Sequence, residues 1–492
     1  MKKFTLLSIA MMTCFTAVHA ADYVTAGNGT TYTLESLSAI PESGVSKAEN
    51  IYTMANNVTI TAGDKFEITG GVTVKMGDLL TLRIEGDANL AAESRTLFTR
   101  NTETDNPKGV YIASSLTSNK VQNIDFEYAG LKNFSDKGLD IDNCTFRLNN
   151  GKMTASGALS IGTDGACFTV TNCTFENNSV PAIGGGANFT NGITIDNCRF
   201  VDNNNKNANK PQVNLTVGGN NPVIIKNSTF VGAQRTKVGA IAVSNMMSLQ
   251  GEHIVVIENN DIRGHRYGIT TTGPLNATIK DNKIIDNKYE TNAVNGGSGI
   301  SVYDSTGQQT AVISGNRIED NLWGITVIGG GNVNVGKTED KDAADYNPGG
   351  NIFKNNGNNG QLYDLYNNTK LTVYAQGNQW NVDEQTAENK ETVIFHKADD
   401  INKGEVIYMP AMGQGSVDEN ISETSVRYSD GTVFLTEAGK VQAFTPSGTL
   451  AADVDAPERI ADLSSLPQGI YILRVFTAQG ISSIKIIKYR LH

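Results

Sequence analysis

The sequence predicts an all-β chain in which a parallel β-helix, a single-stranded solenoid of stacked coils, precedes a small antiparallel β-sandwich. The first observation is a run of ten similar hexapeptides, from VQNIDF to AQGNQW, that recur about every 28 residues. The second is that asparagine, aspartate or glycine stands third in each of them. The third is that asparagine last occurs at Asn420 and is absent from the final 72 residues. Such a repeat is typical of a solenoid, and the change of composition marks a second module.

The chain divides into five predicted segments. Residues 1–20 carry two lysines, an apolar run and small residues at a candidate cleavage site, a pattern typical of a signal peptide. We therefore expect an exported protein that is secreted or displayed on the outer cell surface. A cap is expected at 21–56, because the open first coil of a parallel stack would otherwise pair with other chains. The β-helix is predicted at 57–400, a linker at 401–420 and the C-terminal module at 421–492.

The columns of the hexapeptides predict the corners and the interior of the coils. Equivalent residues of neighbouring coils lie about 4.8 Å apart in such a stack. The third position favours residues that tolerate positive φ, so it predicts a left-handed turn repeated along the stack. The fourth predicts an inward ladder of small or hydrogen-bonding side chains: Ile124, Cys144, Cys173, Cys198, Ser228, Asn260, Asn282, Asn316, Asn351 and Asn378. The sixth predicts a stack of apolar anchors: Phe126, Phe146, Phe175, Phe200, Phe230, Ile262, Ile284, Ile318, Phe353 and Trp380.

These repeats, with the recurring pattern N-x-F, N-N and G-I, resemble the right-handed parallel β-helix family over about residues 50–385. The resemblance implies a right-handed β-helix fold. It implies no single activity, because the family includes pectate and alginate lyases, polygalacturonases, adhesins and noncatalytic surface proteins.

The end of the chain resembles the C-terminal sorting domain of the type IX secretion system. The resemblance rests on LPQGIYILRV at 466–475, on Gly480 and on SIKIIK at 483–488, with VQAF at 441–444 as that family's preceding strand. It implies a Bacteroidetes-type secreted protein whose tail engages the secretion machinery as a partner and is usually removed. Four residues follow the usual Lys-apolar-apolar-Lys ending. A β-sandwich without a role in secretion is the alternative.

Composition excludes several classes of partner. Without residues 1–20 the chain has 38 basic and 51 acidic residues, a net charge of −13, whereas nucleic acid and anionic membranes require a basic face. No later stretch reaches the eighteen or so apolar residues of a membrane-spanning helix. Histidine is scarce, and the P-loop, Gly-x-Ser-x-Gly and His-Glu-x-x-His motifs are absent. We expect no cofactor, no metal site and no catalytic residue set.

Four cysteines follow the predicted signal peptide, and three of them, Cys144, Cys173 and Cys198, share the inward fourth column. Small buried thiols stacked in that column are the first interpretation. A disulfide is the alternative. Cys167 is then the expected partner of Cys173, because parallel stacking makes the required torsion between column neighbours awkward.

One outward column provides the candidate ligand-binding residues. Tyr267, Tyr289 and Trp323 stand five positions past three consecutive anchors, so their rings are predicted to form a strip roughly 10 Å long. With Arg263 and Arg266 beside it, such a strip suits a sugar chain or uronate through apolar contact and bidentate hydrogen bonds. The alternative is structural, because an aromatic residue before Gly-Ile also covers a turn.

Asp286 and Asp320 share a further column, and a separation near ~5 Å would match the carboxyl pair of retaining glycosidases. A turn position is the preferred interpretation, because turn-type residues interchange there. The column also holds Asn177, Asp202, Gly232, Gly264 and Asn355. His265 resembles a fragment of the Gly-His-Gly motif of polygalacturonases, but their paired aspartates and Arg-Ile-Lys are absent.

The leading hypothesis is a noncatalytic extracellular protein that contacts glycans or another surface through the flank of its β-helix, as an adhesin does. It rests on the two export signals and on the lack of a catalytic set. The alternative is a polysaccharide lyase or glycoside hydrolase acting on acidic polysaccharide, with Arg263, Arg266 and Lys288 as uronate neutraliser and base. A scaffold that contacts only neighbouring surface proteins is the third possibility.

Overall fold

The computed structural model describes residues 22–115, 119–135, 137–152, 156–290, 292, 295–412, 426–429, 431–435, 437–478 and 480–488. These residues belong to two compact units that divide between Gln414 and Gly415. The predicted signal peptide and residues 413–420 of the predicted linker lie outside the described residues.

The first unit is a parallel β-helix whose successive coils contribute strands to three sheets. The strands pair in parallel, except for the antiparallel pair Val45–Ala48 and Ile51–Met54 near the N-terminal end. The front sheet has 14 strands in chain order. They are Asp22–Val24, Asn57–Ile60, Thr81–Ile84, Gly109–Ile112, Gly130–Asn133, Leu159–Ile161, Ile183–Gly184, Val213–Thr216, Ile241–Ser244, Ile269–Thr272, Ser298–Asp304, Trp323–Gly329, Leu365–Thr369 and Ile394–Phe395.

The other two sheets share the long strands Asp87–Arg100 and Asn119–Glu127. The second sheet further contains Thr31–Tyr32, Lys65–Glu67, Gly138–Asp142, Ala166–Thr171, Thr190–Asp196, Val223–Lys226, Ile254–Glu258, Asn276–Lys280, Thr310–Ser314, Asn332–Gly336, Val373–Ala375 and Val406–Ile407. The third further contains Val45–Ala48, Ile51–Met54, Thr73–Met76, Thr145–Arg147, Thr174–Glu176, Arg199–Val201, Thr229–Val231, Asp261–Arg263, Lys283–Ile285, Arg317–Glu319 and Ile352–Lys354. The parallel pairing confirms the predicted fold class.

Helix is confined to three short segments of the described chain: Leu34–Ser38, Ala387–Glu391 and the 3-10 turn Pro41–Ser43. The first begins with a capping box, in which Thr33 and Ser36 exchange hydrogen bonds between side chain and backbone. Its Leu34 and Leu37 are buried in the same apolar core as the coils. Within the predicted cap region, Asp22–Val24 also pairs in parallel with Asn57–Ile60.

The apolar anchors stack as predicted. From Phe98 to Phe230, six phenylalanine rings follow one another along the coils, with centroids 4.5 to 5.7 Å apart. Phe353 and Trp380 stack in the same way at 5.0 Å. All of these rings are buried, and offset stacking adds to the burial of each ring.

The third-column prediction is also confirmed, because all ten residues have positive φ, between 49° and 75°. Their amides link neighbouring coils, either to the preceding asparagine, as between Asn259 Nδ2 and Asn227 Oδ1 at 2.7 Å, or to the aspartate beside it, as between Asn227 Nδ2 and Asp196 Oδ1 at 2.7 Å. The left-handed conformation costs most residues about 1–2 kcal/mol, whereas asparagine and glycine tolerate it.

Replacing Asn227 separates these two contributions. Asn227 is exposed and has φ of 52°. Asn227→Ala and Asn227→Gly both remove the amide, but only alanine is strained by positive φ. We expect alanine to cost about 1 kcal/mol more than glycine in urea unfolding. Equal midpoints for the two variants would show that this conformation is not maintained in solution.

The inward fourth column forms the predicted ladder. The column runs through Asn260, Asn282, Asn316, Asn351 and Asn378 on successive coils. Each of the last four accepts, at its Oδ1, the backbone N–H of the asparagine before it at 2.9–3.0 Å. The Nδ2 groups of the first four donate to the next Oδ1 at the same distances. The column therefore pairs its buried polar groups along the axis.

The four described cysteines are free thiols. Cys144, Cys173 and Cys198 are buried in the ladder column, and the Cys144 N–H lies 3.4 Å from the Cys173 sulfur. The interpretation as stacked thiols therefore fits the structure, and the alternative bridge between Cys167 and Cys173 is not formed.

The second unit consists of two antiparallel sheets with one apolar core that includes Val433, Val441, Leu463 and Leu473. One sheet contains Arg427–Ser429, Thr432–Phe434 and Ile460–Asp462, and the other Leu450–Ala456, Gly439–Phe444, Gly469–Thr477 and Gly480–Lys488.

Candidate ligand-binding groove

The strand register of the front sheet places the aromatic candidates. Ile269, Ile300, Ile325 and Leu365 are partners on four successive strands. Two residues earlier on each coil stand, in the same order, Tyr267, Ser298, Trp323 and Tyr363. This aromatic column runs along the stack with about 4.8 Å between neighbours.

Tyr289 does not belong to the aromatic column, so the predicted strip of Tyr267, Tyr289 and Trp323 is not formed. The segment from 286 to 297 lengthens this coil, and Ser298 is the residue directly paired with Trp323. Tyr289 instead donates its hydroxyl to Asp286 Oδ2 at 2.8 Å, and burial raises its pKa to about 12. The position of Tyr289 was predicted by counting five residues from the anchor. That count failed because the inserted loop shifts the register of the next strand.

The aromatic column leaves a gap at Ser298. The Tyr267 ring lies over Gly239 of the preceding coil, where an added Cβ would come within 2.1 Å of it. The Trp323 ring stacks on Tyr363 of the following coil, with centroids 5.2 Å apart and planes 15° apart. Since two strand spacings separate Tyr267 from Trp323, a slot about 10 Å long lies between their rings.

This slot is part of a groove of about 660 Å³, which we call the aromatic groove. Its N-terminal wall is formed by Arg266, Tyr267, Asn295 and Gly296, and its C-terminal wall by Trp323 and Tyr366. The floor carries the hydroxyl side chains of Thr270, Ser301 and Thr326, and the groove ends at Ile328 and Asn368. Short side chains repeated in one outward column leave the sheet surface open here.

The C-terminal wall belongs to a larger aromatic cluster. Tyr366 lies 5.6 Å from Trp323 and stacks on Phe395 with centroids 4.4 Å apart. Tyr363 contacts Trp323, Tyr366 and Phe395. Tyr363, Tyr366 and Phe395 were not predicted from the sequence. Leu365 is the sequence signal for this coil, because it is the apolar strand residue equivalent to the isoleucine of Gly-Ile. It was not recognised because Asp364 stands in place of the glycine.

The two predicted arginines have different surroundings. Arg266 lines the groove and lies over the Tyr267 ring, 5.8 Å from its centroid. Its guanidinium donates to Asn209 Oδ1 and to the Asn295 carbonyl, so it braces the wall across two loops. Arg263 is exposed, forms an ion pair with Asp261 and does not line the groove.

The carboxylate pair Asp286 and Asp320 occupies turns. Both residues have positive φ, 60° and 56°, as do Asn177, Asp202 and Asn355 of the same column. Asp286 also pairs with Lys288 at 2.9 Å. This geometry supports the interpretation as a turn, because a shared backbone conformation accounts for the residue types.

His265 is buried within a second inward ladder. Its Nε2 accepts from Gln212 Nε2 at 2.6 Å, and its Nδ1 lies 3.2 Å from Asn287 Oδ1. The amide of Gln212 fixes the tautomer, because its oxygen already accepts from Asn203. Burial lowers the pKa of His265 to about 4, so the ring is neutral and inaccessible to a substrate.

The second ladder ends on a buried acid. From Asn287 the side-chain amides donate in turn to Asn321, to Asn356 and finally to Asp364 Oδ1, each at 3.1 Å. Asp364 Oδ2 accepts the Asn381 N–H at 2.7 Å. Burial raises the pKa of Asp364 to about 7, against the opposing effect of these two donors.

One group in the described part of the chain has the side chains of a metal site: Glu391, His396 and Asp399. The His396 Nδ1 accepts the Val406 N–H at 3.0 Å, so its Nε2 carries the proton that Glu391 accepts at 2.8 Å. Glu391 also accepts the Tyr408 hydroxyl at 2.7 Å. These hydrogen bonds account for the cluster without a cation.

Comparison with protein families gives one match. Residues 133–339 match the model described as "Right handed beta helix region". Together with the parallel sheets, this match shows a right-handed β-helix repeat protein. Comparisons with curated proteins and with solved structures gave no significant match. Within the described residues, no helix is long and apolar enough to span a membrane.

Proposed function

We propose that this chain is an exported, noncatalytic protein that binds glycans in the aromatic groove. The observation that carries the proposal is the slot at Ser298, which has Tyr267 on one side and Trp323 on the other. A pyranose ring presents apolar C–H faces and a rim of hydroxyl groups. Aromatic walls and a hydroxyl-bearing floor complement both, and a groove open along the sheet admits a polymer.

Replacing Trp323 with alanine is expected to weaken glycan binding about 30-fold. Loss of a stacked indole face exposes apolar surface worth about 2 kcal/mol, which corresponds to this factor. A glycan array with the purified mature protein identifies the ligand, and isothermal titration calorimetry measures the change.

The matched comparison uses one residue type on two sheets. Tyr366→Ala removes a ring from the groove and is expected to weaken binding, whereas Tyr374→Ala removes a half-buried ring from the second sheet and is expected to leave it unchanged. Tyr289→Ala is expected to resemble Tyr374→Ala. If Tyr374→Ala weakens binding as much as Tyr366→Ala, the groove is not the binding site.

The competing function is a polysaccharide lyase or glycoside hydrolase. It is less favoured because Arg263 and Lys288 are engaged in ion pairs and lie outside the groove lining. Assays for unsaturated products and new reducing ends on the same purified protein separate the two functions. Cleavage of any polysaccharide would contradict the noncatalytic proposal. Activity that survives alanine at Arg263, Arg266 and Lys288 would exclude those residues as the lyase machinery.

We further propose that the C-terminal unit acts as a secretion tail. Most residues of the resemblance to type IX sorting domains lie on its last two strands, and VQAF at 441–444 lies on the strand Gly439–Phe444. Lys488 Nζ at the end of the last strand donates to the Leu463 and Leu466 carbonyl oxygens. Deletion of 421–492 is expected to retain the protein inside the outer membrane of its native host. Unchanged delivery to the cell surface or medium would contradict the proposal and favour a purely structural unit.

A further inference from the structure

A second cavity continues the front surface beyond the aromatic groove. It encloses about 520 Å³, and Asn368 lines both spaces. Its lining includes three glycines, Gly307, Gly329 and Gly330, and two lysines, Lys370 and Lys403. None of the described residues that line it is acidic. We call this space the basic pocket.

The two lysines leave hydrogen-bonding capacity for a ligand. Lys403 Nζ donates to Asn368 Oδ1, and the nearest described carboxylate oxygen, on Asp400, is 4.0 Å away. Lys370 is exposed, and none of the described acidic residues forms an ion pair with it. An ammonium group has three donors. Two such groups beside an open cavity provide several donors and a local positive charge in a chain whose net charge is −11.

The walls of the basic pocket are fixed by buried side chains. Asp304 accepts from the backbone of Thr306, Gln308 and Gln309 at 2.7–2.8 Å and so shapes the loop that carries Gly307. These donors lower the pKa of Asp304 against the effect of its burial, so it stays ionised. The pocket is therefore held open before any ligand enters.

The opposite wall is built in a similar way. Asn367 is fully buried, and its amide spans the turn by accepting from the Thr369 N–H and donating to the Leu371 carbonyl. This turn carries Lys370. At Gly329, an added Cβ would lie 2.0 Å from the Asp304 carbonyl, so only glycine fits there.

We propose that the basic pocket binds a carboxylate or sulfate group of the glycan whose sugar rings occupy the aromatic groove. This inference rests on the proposed function and adds the class of ligand, an acidic polysaccharide. Lys370 and Lys403 contact the anion, and Asn368 joins the two spaces so that one chain reaches both. Two cations beside a pocket with no acidic residue among its described lining residues favour an anionic group over a neutral one.

The test compares charged and neutral polymers of the same backbone. The probes are polygalacturonate and its methyl ester, and dextran sulfate and dextran. In the full mature chain, Lys370→Gln with Lys403→Gln is expected to weaken binding of the preferred charged polymer about tenfold and to leave the neutral polymer unchanged. In this variant, the affinity for the charged polymer should no longer decrease when salt is added. The preferred polymer identifies the anion as carboxylate or sulfate.

The control is the double variant Lys120→Gln with Lys283→Gln, which removes two positive charges from exposed positions on the other two sheets. It is expected to bind charged polymers as the wild type does. If the pocket variant keeps full affinity for the charged polymers while Trp323→Ala loses it, the basic pocket is refuted and the groove stands. If only the pocket variant loses affinity, the pocket stands and the groove is refuted. Failure of all four polymers to bind the wild type would contradict both.

Discussion

Replacing Asn316 with aspartate is expected to destabilise the β-helix by about 3–5 kcal/mol at neutral pH, although the two side chains have nearly the same shape. Asn316 is fully buried, and its Nδ2 donates to Asn351 Oδ1 and to the Ile279 and Ser314 carbonyl oxygens at 2.9–3.0 Å. One oxygen of the introduced carboxylate keeps the two donors of Asn282, but the other faces three acceptors and no donor, so the buried charge is poorly compensated. Urea unfolding of the purified protein measures the loss.

The penalty is expected to depend on pH. Burial raises the pKa of the introduced carboxyl above its unfolded value, so stability is greatest below about pH 4 and falls as the pH rises. Asn259→Asp is the matched control, because Asn259 precedes the ladder residue Asn260 but is exposed. If Asn316→Asp were as stable as Asn259→Asp at pH 7, the ladder would not determine stability.

Raising the pH from 4 to 7 is expected to remove about 3 kcal/mol of stability through Asp364. The pKa of this carboxyl is about 7 in the folded chain and about 3.9 when unfolded, and each unit of difference corresponds to about 1.36 kcal/mol. The sign follows from the raised pKa: the contribution is fully present below about pH 4 and is lost as the pH rises through the folded value. Urea unfolding at pH 4, 5.5 and 7 measures the change.

Asp364→Asn is the control for this titration. The difference in the free energy of unfolding between wild type and variant isolates the titration of Asp364. This comparison is needed because the titration of His265 changes stability with pH in the opposite direction. The pKa of His265 is lowered to about 4, so its contribution is lost as the pH falls below about 6.5. The asparagine variant has one acceptor oxygen where Asp364 has two, so we expect it to be less stable than the wild type at pH 4. The difference in the free energy of unfolding between the two proteins should narrow toward pH 7. A difference that stays constant with pH would contradict a buried, protonatable Asp364.

The interior of the β-helix could be predicted closely from sequence because its side chains interact with equivalents of the same residue type. Asn227 and Asn259 have φ of 52° and 54° and form a hydrogen bond with one another, and Phe200 stacks on Phe230. A column in the alignment is therefore a column in the structure. Each coil repeats the same local geometry, so variable loops elsewhere do not disturb it.

The groove could be predicted only in part, because it depends on loops that differ between coils. Tyr267, Trp323 and Arg266 line it, but Tyr289 was misplaced by the inserted segment before Ser298. Tyr366 was missed because its coil lacks the Gly-Ile pattern. Register after a loop is set by strand pairing, which spacing along the chain does not encode.

Asp364 and the basic pocket could not be predicted from the sequence for a different reason. The environment of Asp364 comes from Asn356 and Asn381, and its burial is a property of the completed stack. Lys370 and Lys403 lie 33 positions apart and meet at one cavity only because consecutive coils lie side by side. Neither residue belongs to a repeated column.

The most direct measurement of the central claim uses tryptophan fluorescence. The chain has two tryptophans: Trp323 lines the aromatic groove, and Trp380 is 1% exposed in the core. Iodide should therefore quench Trp323 almost alone. We predict that a glycan bound by the protein protects this emission from iodide, and that Trp323→Phe abolishes the signal while retaining binding. Glycan binding that leaves iodide quenching of the wild type unchanged would contradict the groove as the binding site.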